Sequence, residues 1–357
     1  MLRKAFRLLQ RSVPLRWGRA CLAQRGSGPS REGRDDFGDL PSLEALARRG
    51  LFVVGNARSG TSIFCRCLNY SRDVYLLEEC NVHVNHHRPD FHAWFNRMHR
   101  ELGNLPSKGT YVPSPPVPLE GGLPYLRWLS RHHKYVGEKV AFVPLGTYGG
   151  RPFQDVFFEF HSQFFYEAKH FLIVRTPAEC TWSMQKLFPQ AELAMVVESW
   201  LRSLAVCLDL YATFPHCWMV FFDRLSRETI AGISQILEVE IPVPARALTE
   251  RRQSSRLARG EIPKSLKPFA DTVAACTEVY EELETIFSAE TLRYQLDEDL
   301  VERLQPLRTQ IDSLLAGLAE ACMTIPMPRN AGSTAEKGAD SSDRLERRPS
   351  IRSRMAS

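Results

Sequence analysis

Gly55-Asn-Ala-Arg-Ser-Gly-Thr-Ser62 is the stretch on which the fold of this chain turns. It follows Leu51-Phe-Val-Val54, a continuous apolar run of the kind expected for a strand buried on both faces. It opens residues 61–69, whose apolar spacing predicts a helix. A glycine-containing turn between strand and helix aims several backbone N–H groups at one point, with the positive end of the helix dipole behind them. Such a turn is an anion site.

The spacing G-x-x-x-x-G is that of the P-loop. A nucleotide triphosphatase needs Lys directly after the second glycine to reach the β- and γ-phosphates, and Thr61 stands there instead. The positive charge has moved into the loop, at Arg58. A site built this way suits a nucleotide with fewer phosphates to neutralise.

Outward from the loop, short β-rich runs alternate with longer helical ones. Ser42–Arg49 reads as a capped helix stopped by Gly50. Further predicted strands are Val74–Leu77, Tyr135–Lys139, His170–Val174 and Cys217–Phe222. Predicted helices span Pro152–Glu167, Pro177–Leu187, Glu192–Thr213 and Arg227–Leu237. This alternation implies an α/β class, a three-layer P-loop-type fold with a central parallel sheet and helices on both faces. From Gly103 to Pro124 the pattern breaks, with Pro at 106, 113, 115, 116, 118 and 124. A loop of that length reads as a lid or substrate-facing segment. No internal repeat is present.

The 357 residues carry 46 Lys plus Arg against 41 Asp plus Glu, a formal charge of +5. Residues 1–34 hold nine of the bases (Arg3, Lys4, Arg7, Arg11, Arg16, Arg19, Arg25, Arg31 and Arg34) and one acid, Glu32. With that surplus of eight removed, the remainder carries 5 minus 8, or −3. A mildly acidic body argues against nucleic acid as a partner. Residues 1–36 are expected to be a disordered basic arm or a mitochondrial transit peptide. Residues 37–328 are expected to form the α/β domain, and 329–357, rich in Ser, Arg and Gly, a disordered tail. No run of 18 apolar residues occurs, so no transmembrane segment is expected. The location implied is cytoplasmic, or mitochondrial if the arm is a transit peptide.

Nine cysteines at 21, 65, 67, 80, 180, 207, 217, 276 and 322 form no C-x-x-C pair and read as reduced thiols. The run His83, His86, His87, His92 and His99 lacks a completing Cys or carboxylate, and reads as a solvated polar helix in place of a metal site.

Val54–Ser62 resembles the 5′-phosphosulfate loop of the sulfotransferases, which use 3′-phosphoadenosine 5′-phosphosulfate (PAPS) as sulfuryl donor. Tyr135-Val-Gly-Glu-Lys139 is similar to the family's "GEK" strand, whose Lys approaches the transferring group. His170–Ser183, an apolar strand ending in Arg-x-Pro with Ser eight residues beyond the Arg, is similar to the 3′-phosphate motif. Trp218–Leu225 resembles the family's late "strand–Tyr-Glu-Asp-Leu" segment, with Phe222 and Arg224 where Tyr and Glu are usual. Val74–Glu79 falls where several members carry a catalytic carboxylate. The likeness covers roughly residues 50–240. It departs at Val140-Ala-Phe142, where Ser/Thr-Pro is usual, and at the C-terminal Arg-Lys-Gly, for which Arg256-Leu-Ala-Arg-Gly260 is the nearest candidate.

The resemblance implies a transferase that moves a sulfuryl group from PAPS to a hydroxyl or amine acceptor, with no metal. Arg58, Ser59, Gly60, Thr61 and Ser62 would hold the 5′-phosphate, and Arg175 with Ser183 the 3′-phosphate. Lys139 would stabilise charge on the bridging oxygen. Glu78, Glu79 and His83 are the candidate bases. The acceptor is a small molecule, carbohydrate or lipid. Two other readings stay open: a metal-dependent P-loop kinase or NTPase with Asp223 as a Walker B carboxylate, and a non-catalytic protein of the same fold that binds a nucleotide or partner.

Overall fold

The computed structural model describes residues 40–142, 147–148, 150–189, 191–244, 257, 261–288 and 298–324. The basic N-terminal arm, the tail from 329 and all of 256–260 except Leu257 lie outside the described residues.

Helix α1 (Leu43–Arg49) is capped as its sequence predicts, the Ser42 hydroxyl accepting from the Ala45 amide. It runs straight into β1 (Gly50–Asn56). Gly50 ends the helix in extended backbone, where a Cβ would lie 2.7 Å from Ala168 Cβ, so close packing selects the glycine. The elements that follow are α2 (Thr61–Leu68), β2 (Val74–Glu78), α3 (Val82–Asn85), α4 (Phe91–Glu101) and α5 (Gly122–Leu129). Strand β3 (Tyr135–Phe142) leads through a small hairpin, β4 (Thr147–Tyr148) and β5 (Arg151–Pro152), to α6 (Phe153–Phe164). Then come β6 (Lys169–Val174), α7 (Pro177–Leu187), α8 (Leu193–Thr213), β7 (Cys217–Phe221) and α9 (Arg227–Leu237). Two long helices, α10 (Ala270–Ser288) and α11 (Glu298–Thr324), close the described chain.

Five strands form one parallel sheet in the order β2-β3-β1-β6-β7. Alternate residues serve opposite faces, as strand geometry requires. Phe52, Val54, Leu172, Val174 and Phe221 join the core beneath α5, α6 and α8. Leu51, Val53, Phe171, Ile173 and Val220 join the smaller core beneath α2 and α9. The chain is therefore an α/β protein with helices on both faces. Where β3 passes β1 the backbones leave no room for a side chain, since a Cβ on Gly137 would lie 1.9 Å from the Leu51 carbonyl oxygen.

The proline-rich segment, expected to be a lid or substrate-facing segment, is tied to its neighbours by hydrogen bonds. It is fixed along β2, the outer strand on that side of the sheet. The Glu78 amide donates to Gly109 O at 2.8 Å, and Asn96 exchanges two hydrogen bonds of 3.0 Å with the Val112 main chain. Tyr125 Oη donates to Pro113 O at 2.8 Å. An exposed sheet edge invites pairing with other chains, and this strap covers it.

The histidine run is not one solvated helix either. His83 lies in α3 and His99 in α4, both buried, while His87 is exposed. A second buried pair, His161 and His170, meets ring to ring at 3.0 Å. Burial lowers both below the usual imidazole range, His170 to about 3, so both are neutral.

Gly137→Ala is expected to lower the unfolding free energy by about 3 kcal/mol, through overpacking against the Leu51 carbonyl. Urea denaturation checks this, and a loss under about 1 kcal/mol would show that the two strands can separate at little cost.

Candidate active site

At the carboxyl end of β1 the chain turns sharply through Ala57–Gly60. The Ser59 amide donates back to Asn56 O at 3.0 Å, and Arg58 adopts a left-handed backbone with φ 73°. Gly60 has φ 101°, and a Cβ there would lie 2.1 Å from the Phe222 ring. Only glycine permits both this backbone and this contact. Gly60 is also the N-cap of α2 and has no side chain to cap it. The first amides of α2 therefore face the loop with no partner from within the helix, which suits an anion. Ser59 is buried, and its hydroxyl has no hydrogen-bond partner.

Strand β6 brings a second cation to the loop. Arg175 is buried and donates through Nη1 to the Arg58 carbonyl at 3.2 Å. Its Nε and Nη2 both reach Glu179 Oε2, at 2.9 and 2.8 Å, one helical turn along α7. Its guanidinium carbon lies 5.0 Å from the centre of the Phe222 ring. Arg58 in turn donates through Nε to Ser183 Oγ at 3.1 Å. Residue 58 thus meets 175 and 183, more than a hundred positions on, at the carboxyl edge of the sheet, where α/β folds bind ligands.

Lys139 stands on the other side of the loop, wholly buried. Its ammonium donates to Ser62 Oγ at 3.1 Å and to the Glu79 carboxylate. Glu79 follows β2 in left-handed backbone, φ 59°, with its side chain half exposed. Partial burial alone would raise its pKa, but the Lys139 charge and hydrogen bond, then His99 and Arg66, bring it below the usual carboxylate range.

The other two candidate bases are placed elsewhere. Glu78 is buried against α2, where Arg66 grips both its oxygens at 3.0 and 3.4 Å. His83 lies on the opposite face of the sheet from Lys139. It packs edge-on to Phe153 and Phe157, with Nδ1 3.7 Å from Glu138 Oε1. Neither side chain is presented to an acceptor beside Lys139. Asp223 accepts from Tyr280 Oη at 3.0 Å and from the Thr176 amide at 3.4 Å.

The sequence reading omitted Glu179, Asn56 and Phe222 as site components. Glu179 could have been found from its i,i+4 spacing to Arg175. Asn56 accepts from Ser199 and Ser203 of α8 and donates to Cys180 of α7, which ties the loop's base to two helices. Nothing in its local sequence signals that. Among the described residues, no group of three or more His, Cys, Asp or Glu converges to hold a metal ion, and no helix is long and apolar enough to cross a membrane. Seven of the described cysteines, at 65, 67, 80, 180, 207, 217 and 276, are buried.

No protein-family profile and no curated protein matches the chain. Among solved structures it is similar to the sulfotransferase domain of the Synechococcus PCC 7002 olefin synthase. That match has 16% identity and a TM-score of 0.41, covering 75% of this chain and 94% of that one. A sulfotransferase from Alicyclobacillus acidocaldarius matches at 15% identity and a TM-score of 0.37, covering 64% of this chain and 94% of that one.

The Lys139–Glu79 pair is asymmetric, and so are the expected costs of breaking it. Glu79→Gln leaves a fully buried ammonium facing a neutral amide and should cost about 2 kcal/mol. Lys139→Met leaves a half-exposed carboxylate that water can solvate, and should cost about 1 kcal/mol or less. Because folding lowers the Glu79 pKa, the pair stabilises the protein above the ordinary carboxylate range and ceases to as pH falls through the folded-state value. Urea midpoints measured across acidic pH should show this slope in the wild type and its absence in Glu79→Gln. Equal costs for the two variants would contradict the asymmetry.

Proposed function

We propose that the chain is a PAPS-dependent sulfotransferase acting on a hydroxyl or amine of a small-molecule, carbohydrate or lipid acceptor. The observation that carries this reading is the convergence of Arg58, Arg175 and Ser183 on one side of an uncapped helix N-terminus, with the Lys139–Glu79 pair on the other. Two positive charges and a hydroxyl suit a nucleotide with separate 5′ and 3′ anionic groups. Thr61 in place of the P-loop Lys disfavours a triphosphate. The orphaned Ser59 hydroxyl and the free amides of α2 fit an anionic group held in the loop.

In this reading Arg58, the amides of Gly60–Ser62 and the Thr61 and Ser62 hydroxyls hold the 5′-phosphate, and Arg175 with Ser183 holds the 3′-phosphate. The donor supplies a sulfuryl group already activated by its phosphate link. Glu79 takes the proton from the acceptor as its oxygen or nitrogen becomes nucleophilic, a role for which its exposure and ionised state equip it. Lys139 holds positive charge beside the loop, where negative charge develops on the departing oxygen. Positioning and fixed charge supply most of the acceleration, as in phosphoryl transfer. No step calls for a metal ion.

Calorimetric titration should show 3′,5′-ADP binding and no binding of Mg·ATP. Arg58→Ala and Arg175→Ala should each weaken 3′,5′-ADP by at least about tenfold, the expected loss for a charge-assisted hydrogen bond. Sulfuryl transfer from PAPS to a broad acceptor panel should proceed with EDTA present. Metal-dependent ATP hydrolysis would sink the proposal in favour of a kinase or NTPase. Tight 3′,5′-ADP binding without transfer to any acceptor would favour a non-catalytic protein.

A further inference from the structure

We infer that Glu138 is a positioning residue that locks the turn carrying Glu79. This inference rests on the reading of Glu79 as the base. Strand β3 directs Glu138 and Lys139, adjacent in sequence, to opposite faces of the sheet. On the α2 face Lys139 binds the Glu79 carboxylate, and the Lys139 carbonyl accepts the Glu79 amide at 3.3 Å. On the other face Glu138, fully buried, accepts the Val82 amide at 2.8 Å and the Cys80 thiol at 3.0 Å. One dipeptide thus grips the turn 79–82 at four points, through the Lys139 side chain and carbonyl and both oxygens of the Glu138 carboxylate.

The turn needs that grip. Glu79 and Asn81 have φ of 59° and 47°, a left-handed backbone that is costly for any residue but glycine. Asn85 adds support from below by donating to Cys80 O at 2.9 Å. Burial, then Glu138, pushes the Cys80 thiol well up, so it remains an S–H donor. A carboxylate with no exposure is expensive unless its lone pairs are met. Here they are met by groups of this turn, with the His83 ring 3.7 Å away. Without Glu138 the turn loses its anchors at Cys80 and Val82, and Glu79 leaves Lys139.

The test uses the full chain labelled with ¹³C at the glutamate side-chain carboxyl, the Glu79 resonance being assigned by its loss in Glu79→Gln. The groups facing Glu79 are Lys139 from β3, His99 from α4, Arg66 from α2 and the preceding Glu78. In the wild type Glu79 should titrate below the ordinary carboxylate range. Glu138→Ala should shift it upward toward that range. Glu138→Gln, whose amide oxygen can still accept from Val82, should restore the low value. An unchanged 3′,5′-ADP affinity, within about twofold, shows that the variants are folded. In transfer assays Glu138→Ala should lower kcat about 100-fold with little change in donor KM, the scale expected for a misplaced catalytic group. In a Glu79→Gln background it should cause no further loss. If Glu138→Ala does not fold, Cys80→Ala removes one of the two donors and should shift Glu79 in the same direction by less. A Glu79 titration unmoved in the folded variants, a Gln variant that behaves like Ala, or additive losses would each overturn the inference. Transfer undiminished by Glu79→Gln would instead refute the base assignment, with the titrations still judging the clamp.

Discussion

The carboxyl end of the sheet is organised around an ammonium that has no contact with water. Lys139 is wholly buried, and such a charge is tolerated only when paired and hydrogen-bonded. Its partners come from different elements: Ser62 from the first turn of α2, and Glu79 from the end of β2. The loop after β1 and the carboxylate turn after β2 therefore share one charge. Neither can move far without uncovering it. On the far side of the loop the same logic recurs, since Arg175 is buried, bound to Glu179 and braced against the Arg58 carbonyl.

Backbone strain gathers at the same place. Among the described residues four that are not glycine have positive φ: Arg58, Glu79, Asn81 and Glu238. The first three stand at the carboxyl ends of β1 and β2. Conformations of that kind persist only where the surroundings over-determine them, and they tend to mark functional positions. The loop has its surroundings in Phe222, Asn56 and Arg175, and the turn has them in Glu138 and Lys139. The candidate site lies where the chain is least comfortable.

Much of this was legible in the residues. Apolar runs bounded by Gly, Pro or polar residues placed α7 and α9 with their observed ends, and β1, β2 and β6 within two residues. The loop, with Arg58 and Gly60, stands where its spacing puts it. What escaped depends on contacts that no local pattern encodes. Proline marks a loop but does not say where it lies, so the strap along β2 was invisible. Imidazole rings pack as aromatics, so His83, His161 and His170 entered the core against the polarity of their residue type. The choice between Glu78 and Glu79 could not be made by alternation. Glu78 pairs in register with Lys139, yet Arg66 holds its side chain, while the left-handed backbone at 79 carries the next carboxylate to the lysine.

The strand order has a cost in time. Central β1 pairs with β3 and β6, so Leu51 must wait for Gly137 on one side and Lys169 on the other. During synthesis at about 5–20 residues per second, the run Leu51–Val54 leaves the ribosome on the order of ten seconds before either neighbour exists. Parallel pairing across such separations is slow to form and leaves an apolar strand open to other nascent chains meanwhile. The strand that leads into the loop is thus made before both of its neighbours and must wait for them. Its yield in a cell will depend on how well that interval is chaperoned.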